Sequence, residues 1–408
     1  MSRQISLAKQ VRKVLVGDHA VAEAVKLARV NVVSAYPITP QTLIVERISE
    51  MIERGGELKA DYVRVESEFA ALATVYGAAA GGARAFTATS SHGLFYMYEM
   101  LWWAAASRVP LVMAVVTRVV GPPWNIHDEH TDLLAIRDSG WIIGMAQNVQ
   151  EAFDMTLTAF RISEDERVLL PVAVGLDGFI LSHTAEPPLD IPSQEDVDAW
   201  LPPRNPRIPY VIEPGGEAIT MGNLPPRNDV YHALLKKYMD ESMESAKKVI
   251  ADVYDEYGKL TGRKYGPLTE CYRCSDAKYL AVSMGAWSGD IMTAVDRLRD
   301  EGYPIGLLRI RYIRPFPEED ITGWINGMKG VIVFDRDYSA GMGGILASEV
   351  SGFVPSNVSF EGILAGGVGG FDVSPDEFKT LMMEFINKVE HEGLVRVRKY
   401  WYIPKIER

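Results

Sequence analysis

The chain is predicted to fold as two doubly wound α/β domains joined by a proline-rich linker and a long helix. Helical and extended segments alternate over the first ~185 residues, and strands separated by helices of roughly 10–15 residues imply βαβ units. Pro110–Val116 is almost wholly apolar, as a central parallel strand buried on both faces must be. Ten of the 23 prolines fall between Pro187 and Pro226, ahead of a second alternating stretch. The expected divisions are residues 1–186, a linker and helix over 187–274, and a second α/β domain over 275–408.

In the first domain a helix at Ala20–Ala28 is expected to lead into a strand at Asn31–Ala35 and a helix from about Gln41 to Arg54. A short strand at Tyr62–Val65 precedes a small-residue helix from Ser67 to Ala80, then a strand at Arg84–Thr89 and an aromatic-rich helix at Leu94–Ala106. A helix near Val149–Phe160 and a strand at Leu170–Val174 complete it. The prolines of 187–226 predict an irregular, extended wrap. Asn228 begins a long amphipathic helix to about Tyr257. Strands at Tyr279–Ser283, Ile305–Arg309 and Gly330–Phe334 and helices at Ile291–Asp300, Glu318–Asn326 and Leu346–Val350 make the second unit. The aromatic strip Lys399–Pro404 suits docking better than solvent.

A net charge of −12 argues against a nucleic-acid surface, which needs clustered Lys and Arg. No apolar run approaches the ~20 residues that span a bilayer. Met1–Val16 lacks the apolar stretch of a signal peptide, and Cys271 and Cys274 are the only cysteines, so a reducing, cytoplasmic location is expected. One pair of thiols cannot complete an all-cysteine zinc or iron–sulfur site within this chain; because the pair precedes a strand and does not open a helix, two free thiols are favoured over a redox pair.

Ser34–Thr42 is a stiff bend. Pro37 and Pro40 fix φ and push Tyr36 and Thr39 towards extended geometry. It is either an ordinary βα turn or, with a hydroxyl at the carboxyl end of a strand, a ligand wall. Glu68 opens the small-residue helix, where a carboxylate either complements the helix dipole or faces a ligand nitrogen. Thr87–Leu94 crosses from strand to helix with four hydroxyls and a glycine, fitting an anion or a simple cap. Arg118 follows the buried strand, suited to a bidentate grip on a carboxylate or exposed on the surface. His127-x-x-His130 lacks the helical spacing of a metalloprotease, and a polar cluster stapling a loop is the better reading; no metal site is assigned. The glycines at 341–344 and 366–370 do not make a dinucleotide fingerprint.

Together, Ser34-Ala35-Tyr36-Pro37-Ile38-Thr39-Pro40-Gln41-Thr42, Glu66-Ser67-Glu68, Thr89-Ser90-Ser91-His92-Gly93-Leu94 and Asp128-Glu129-His130-Thr131-Asp132 resemble one family. They are similar to the α subunit of the thiamine-diphosphate-dependent 2-oxoacid:ferredoxin oxidoreductases, the pyruvate:ferredoxin oxidoreductase family. Leu169–Val172, Asp177-Gly178-Phe179 and Arg314-Pro315-Phe316-Pro317 extend the likeness over essentially the whole chain. It implies a thiamine-enzyme pyrimidine-type domain followed by a transketolase C-terminal-like domain.

The resemblance also implies a reaction: oxidative decarboxylation of a 2-oxoacid with coenzyme A, giving acyl-CoA, CO2 and reduced iron–sulfur clusters. Thiamine diphosphate would be shared with a β subunit that holds the diphosphate, Mg2+ and clusters; γ and δ (ferredoxin-like) subunits and ferredoxin or another electron acceptor complete the system. Glu68 matches the glutamate that contacts N1′ of the aminopyrimidine and so promotes deprotonation of the thiazolium. Thr39 matches a substrate-bonding threonine and Arg118 the arginine that pairs with the substrate carboxylate. Pro37, Ser91 and His92 fall against the cofactor.

Several departures bear on the substrate. Ser91-His92-Gly93 stands where pyruvate enzymes often have Ser-Gln-Gly, and Val119–His127 differs from the run usual after the arginine. The loop and Tyr400–Pro404 are similar to the oxalate-oxidising member, but that member has arginine where Thr39 stands, which disfavours oxalate. Phe95, Tyr96, Tyr98, Trp102, Trp103 and Trp124 are either core or room for an aryl substrate such as phenylglyoxylate. Pyruvate or a bulkier 2-oxoacid is thus expected. The alternatives are a non-catalytic scaffold or CoA-docking subunit and, more weakly, a nucleotide-binding dehydrogenase.

Overall fold

The computed structural model describes residues 7–53, 56–204, 228–366 and 369–404. The chain opens with β1 (Gln10–Lys13), α1 (Gly17–Leu27) and β2 (Val32–Val33), then α2 (Thr42–Glu53), β3 (Asp61–Tyr62) and α3 (Glu68–Ala80). Next come β4 (Ala85–Thr89), α4 (Ser91–Tyr96), α5 (Tyr98–Ala106), β5 (Val112–Thr117) and α6 (Thr131–Ala135). They are followed by β6 (Ile142–Met145), α7 (Val149–Ser163), β7 (Val172–Asp177), β8 (Leu189–Pro192) and α8 (Gln194–Trp200). The long helix α9 (Asn228–Thr261) leads to β9 (Thr269–Tyr272), β10 (Tyr279–Met284), α10 (Trp287–Asp300), β11 (Ile305–Ile310) and β12 (Tyr312–Arg314). The remainder is α11 (Glu318–Ile325), β13 (Gly330–Asp335), α12 (Ile345–Ser351), β14 (Ser359–Leu364), α13 (Pro375–Glu392) and β15 (Arg396–Trp401).

Seven strands form the first sheet, in the order β12-β6-β7-β5-β4-β2-β3, and six the second, β15-β14-β13-β10-β11-β9. Every residue of β5 and β7 is buried, which explains why both are apolar up to their last residues, Thr117 and Asp177. Two doubly wound α/β units were expected and are present. The second sheet draws on β9, and the first on β12, which pairs antiparallel with β6.

The two units are joined through packing and charge. One apolar core runs from Leu72, Val75 and Leu101 of the first unit to Leu280, Leu308 and Val331 of the second. Beside it, Glu151 of α7 meets Arg309 at 2.6 and 3.0 Å and Arg311 at 2.5 Å, all three fully buried. Burial alone would raise the Glu151 carboxyl; the two guanidinium groups outweigh it and hold the group at about 2.

The structure corrects some expectations. Part of the described proline-rich segment is regular: β8 pairs antiparallel with β1, Gln10 opposite Pro192, and α8 follows with Ser193 as its cap, whereas Pro187, Pro188, Pro202 and Pro203 lie outside both elements. Proline is tolerated there because β8 sits in a two-stranded ribbon, where every strand is an edge. Residues 205–227 lie outside the described residues. The aromatic-rich helix is two helices that meet at Met97. Cys271 and Cys274 are not free thiols but a disulfide, with Cα atoms 5.9 Å apart, within reach of such a bond. The C-terminal aromatic strip forms edge strand β15, where Trp401 lies 5.1 Å from Tyr338, ring centre to ring centre. Among the described residues no helix is long and apolar enough to cross a membrane.

Candidate active site

The site gathers at the carboxyl ends of β2, β4 and β5. Where β2 ends, Ser34 Oγ donates to the Val63 carbonyl at 2.8 Å and ties the bend to the neighbouring strand. Buried Gln41 closes it from within, its Nε2 donating to the carbonyls of Tyr36 (2.8 Å) and Ala88 (3.3 Å). Thr39 is exposed at the apex, and its carbonyl accepts from Arg118 Nη1 at 2.8 Å. Residues 79 positions apart are thereby brought together. Arg118, directly after β5, is only 7% exposed. Burial lowers its pKa while the Asp132 carboxylate opposes that shift.

Glu68 is the first residue of α3, behind the cap Ser67, whose Oγ accepts from Ala70 N at 3.2 Å. The carboxylate is 8% exposed and has no hydrogen-bond partner among the described residues. It lies across the Cα of Gly93: a Cβ built there would stand 2.6 Å from Thr89 Oγ1 and 2.8 Å from Glu68 Oε1. Glycine is needed at 93 because two other side chains occupy the space of its own.

Between these groups runs a short polar chain. Ser91, at φ 45°, donates from Oγ to the Val119 carbonyl at 2.8 Å. His92 Nε2 accepts from Gly121 N–H at 3.2 Å, so its proton lies on Nδ1, which is 3.2 Å from Ser91 Oγ. Burial and then the Arg118 charge lower the pKa of His92, keeping the ring neutral. His92 stacks on Trp124 at 4.6 Å, and the Trp124 ring lies 6.0 Å from the Arg118 guanidinium. In α5, Trp102 packs away from this chain of contacts, with Lys236 of α9 5.2 Å over its ring.

The loop after Arg118 is anchored on the second unit. His130 and Arg336 meet Asp177 at 3.0 and 3.1 Å, and Arg336 lies 3.0 Å from Asp128. Asp177 also accepts from Ala286 N–H at 2.9 Å, at the start of α10. Chain order reverses between β10 and β13 in the second sheet, and such a crevice is where open α/β folds seat a ligand. Here the first unit's carboxylate fills it. Burial favours a neutral Asp177, but His130 and Arg336 prevail and depress its pKa. Asp128, less well compensated, is pushed up by burial to about 7. Asp128, His130 and Asp177 have the donor types and closeness of a metal site, but the Arg336 cation stands among them. His127 is exposed and apart, so the His-x-x-His pair does not converge.

Of the candidate residues, the structure brings Thr39 to Arg118, Ser91 to His92, and Glu68 onto Gly93 between them. Pro37 instead lines a separate cleft of about 330 Å3 with Val45, Tyr62 and Arg64, on the α2 side of the bend. Gln41 and Asp132 escaped sequence reasoning as site residues. A thiamine cofactor can be tested against the residues present. Gln41 Oε1, Thr87 Oγ1, Thr89 Oγ1, Ser90 Oγ and Arg118 Nε are buried without hydrogen-bond partners, and buried polar atoms are ordinarily paired. With the unpartnered Glu68 they fit a polar ligand such as the aminopyrimidine of thiamine.

Fold and site define the class: an α/β enzyme with a buried arginine at a strand end and an unpartnered glutamate at a helix start. A family model described as pyruvate flavodoxin/ferredoxin oxidoreductase, thiamine diphosphate-binding, matches residues 23–255. A second, pyruvate:ferredoxin oxidoreductase core domain II, matches residues 277–378. The pyruvate synthase subunit PorA of Methanothermobacter thermautotrophicus is 41% identical over 91% of this chain and 94% of its own. The ketoisovalerate oxidoreductase subunit VorA of Pyrococcus abyssi is 42% identical over 97% and 98%. A solved 2-oxoglutarate:ferredoxin oxidoreductase from Magnetococcus marinus shares the fold, with TM-score 0.70 and 23% identity over 92% of this chain and 65% of that one. The chain belongs to the α subunits of the 2-oxoacid:ferredoxin oxidoreductase family, CoA-acylating enzymes that work as complexes.

Proposed function

We propose that this chain supplies the pyrimidine side of a thiamine diphosphate site, together with the substrate-carboxylate grip, in an enzyme that converts a 2-oxoacid and CoA to acyl-CoA and CO2. The observation that carries this reading is the Arg118–Thr39 contact beside the unpartnered Glu68. Arg118 pairs with the C1 carboxylate, a charge-assisted grip that fixes the acid in one orientation. Thr39, exposed beside it, offers its hydroxyl to the acid. Glu68 hydrogen-bonds a pyrimidine nitrogen and holds the proton exchanged there, while Ser91 and neutral His92 complete the wall. When bound, thiamine diphosphate supplies the carbanion chemistry and takes up the electrons left by CO2.

The diphosphate and its Mg2+ belong to a β subunit in this reading. Both cysteines of this sequence are tied in a disulfide, so iron–sulfur clusters are ligated by β, γ and δ partner chains. Electrons leave to ferredoxin or another acceptor, in the cytoplasm. The substrate is pyruvate or a branched 2-oxoacid of the ketoisovalerate kind, the acids named for relatives 41–42% identical to this chain. Trp124 beside Arg118 favours the bulkier acid as a second reading. The test is acyl-CoA formation by the complex purified from its host, assayed with pyruvate, 3-methyl-2-oxobutanoate, 2-oxoglutarate and phenylglyoxylate. CoA-dependent turnover of one of the first two is expected; no turnover of any 2-oxoacid would overturn the proposal.

A further inference from the structure

A fully buried carboxylate lies behind the site. Asp132, the second residue of α6, has no exposed surface. Its Oδ2 accepts from the backbone N–H of Ser91 at 2.7 Å and of Arg118 at 3.1 Å, and its Oδ1 from Leu133 N–H at 2.7 Å. Ser91 leaves β4 and Arg118 leaves β5, so one side chain joins the exits of two neighbouring strands. Ser91 is held at φ 45°, a conformation side-chain-bearing residues seldom take without support. Burial pushes the Asp132 carboxyl up to about 7, against the pull of its three N–H donors. A carboxyl so poorly placed for its own charge is retained here for what it holds in place.

We infer that Asp132 is a positioning residue for the 2-oxoacid: by fixing both strand exits it sets the Arg118 guanidinium against the Ser91–Gly93 crossing on which Glu68 rests. This rests on the reading of Arg118 as the carboxylate grip. The obvious surface candidate, the exposed face of α9 around Tyr231 and Leu235, has nothing in the structure to say what covers it. Asp132 offers a sharper test, because Asp132→Asn keeps a carbonyl oxygen able to serve both Ser91 and Arg118, whereas Asp132→Ala leaves both N–H groups without it.

The experiment measures KM for the preferred 2-oxoacid, KM for CoA and kcat in the assembled complex. It compares wild type, Asp132→Ala, Asp132→Asn and Arg118→Ala. Asp132→Ala is expected to raise the 2-oxoacid KM at least tenfold and leave the CoA KM within twofold, with Asp132→Asn within threefold of wild type throughout. Should Asp132→Ala fail to assemble, Asp132→Glu, which keeps the charge but displaces the oxygens by one methylene, is expected to raise the 2-oxoacid KM at least threefold with CoA unaffected. An unchanged 2-oxoacid KM in the assembled variant, or both KM values rising by the same factor, overturns the inference while Arg118→Ala still weakens the acid. An unchanged 2-oxoacid KM in Arg118→Ala overturns the underlying reading and this one with it.

Discussion

Gly93→Ala perturbs the site by a single carbon. In α4 the change is favourable in isolation, because alanine exceeds glycine in helix propensity by about 1 kcal/mol. The new Cβ, however, falls 2.6 Å from Thr89 Oγ1 and 2.8 Å from Glu68 Oε1, where ordinary contact begins at 3.4 Å. Something must give by about 0.6–0.8 Å. Thr89 is fully buried in β4, whereas Glu68 stands at a helix start with its carboxylate unbonded, so Glu68 moves. Overpacking costs about 1–3 kcal/mol, which the helix term partly offsets, and the melting point is expected to fall by no more than a few degrees. Function is the sensitive readout, since misplacing a reacting group by about 1 Å costs on the order of 10²-fold. Steady-state kcat of the complex, followed by CoA-dependent acceptor reduction, is expected to drop about 30- to 100-fold. A kcat within threefold of wild type would refute the placement of Glu68 over Gly93.

Arg118→Ala removes a charge-assisted bond worth about 1.5–3 kcal/mol and is expected to raise the 2-oxoacid KM roughly 10- to 150-fold; Thr39→Ala removes a neutral one and costs about two- to tenfold. Unchanged substrate kinetics in both would favour the scaffold alternative. Glu151→Leu leaves the buried Arg311 guanidinium without a carboxylate and Arg309 with Glu270 alone, and should cost about 3–5 kcal/mol, read by denaturant unfolding. Because the folded Glu151 carboxyl sits at about 2 against a usual 4.5, its contribution of about 3 kcal/mol is full above pH ~4.5 and is lost as pH falls towards 2. Wild type should lose this acid-range stability slope in Glu151→Leu, and an identical slope would count against the burial. Reducing Cys271–Cys274 opens only a short loop, so at most about 2 kcal/mol is expected from melting with and without dithiothreitol. A larger fall would show that the disulfide holds more than its own turn.

Much of the fold was legible because β5 and β7 are buried throughout and apolar up to their last residues, and α10 carries an apolar stripe with a polar face opposite. What escaped was pairing at a distance. β8 finds its partner at the chain start, β12 crosses to the other unit's sheet, and β15 adds in parallel to β14; local residues do not encode such choices. The Pro-Ile-Thr-Pro bend and Arg118 were legible as strand-end residues, but their contact runs through the carbonyl of Thr39, which any residue would supply. Asp132 and Gln41 act almost wholly on backbone groups, so no spacing of side chains announces them. C-x-x-C spacing alone does not report that Cys274 folds back towards Cys271, so the disulfide is not legible in the sequence.

On the proposed reading, Glu68 is this chain's own contribution to the chemistry. Its most direct measurement is kcat of the complex with Glu68→Gln, which keeps size and hydrogen-bonding reach but removes the charge. A fall of at least about 10²-fold is predicted, on the scale of general acid–base contributions, with subunit assembly by size exclusion unchanged. A fully assembled Glu68→Gln complex with wild-type kcat would contradict the account.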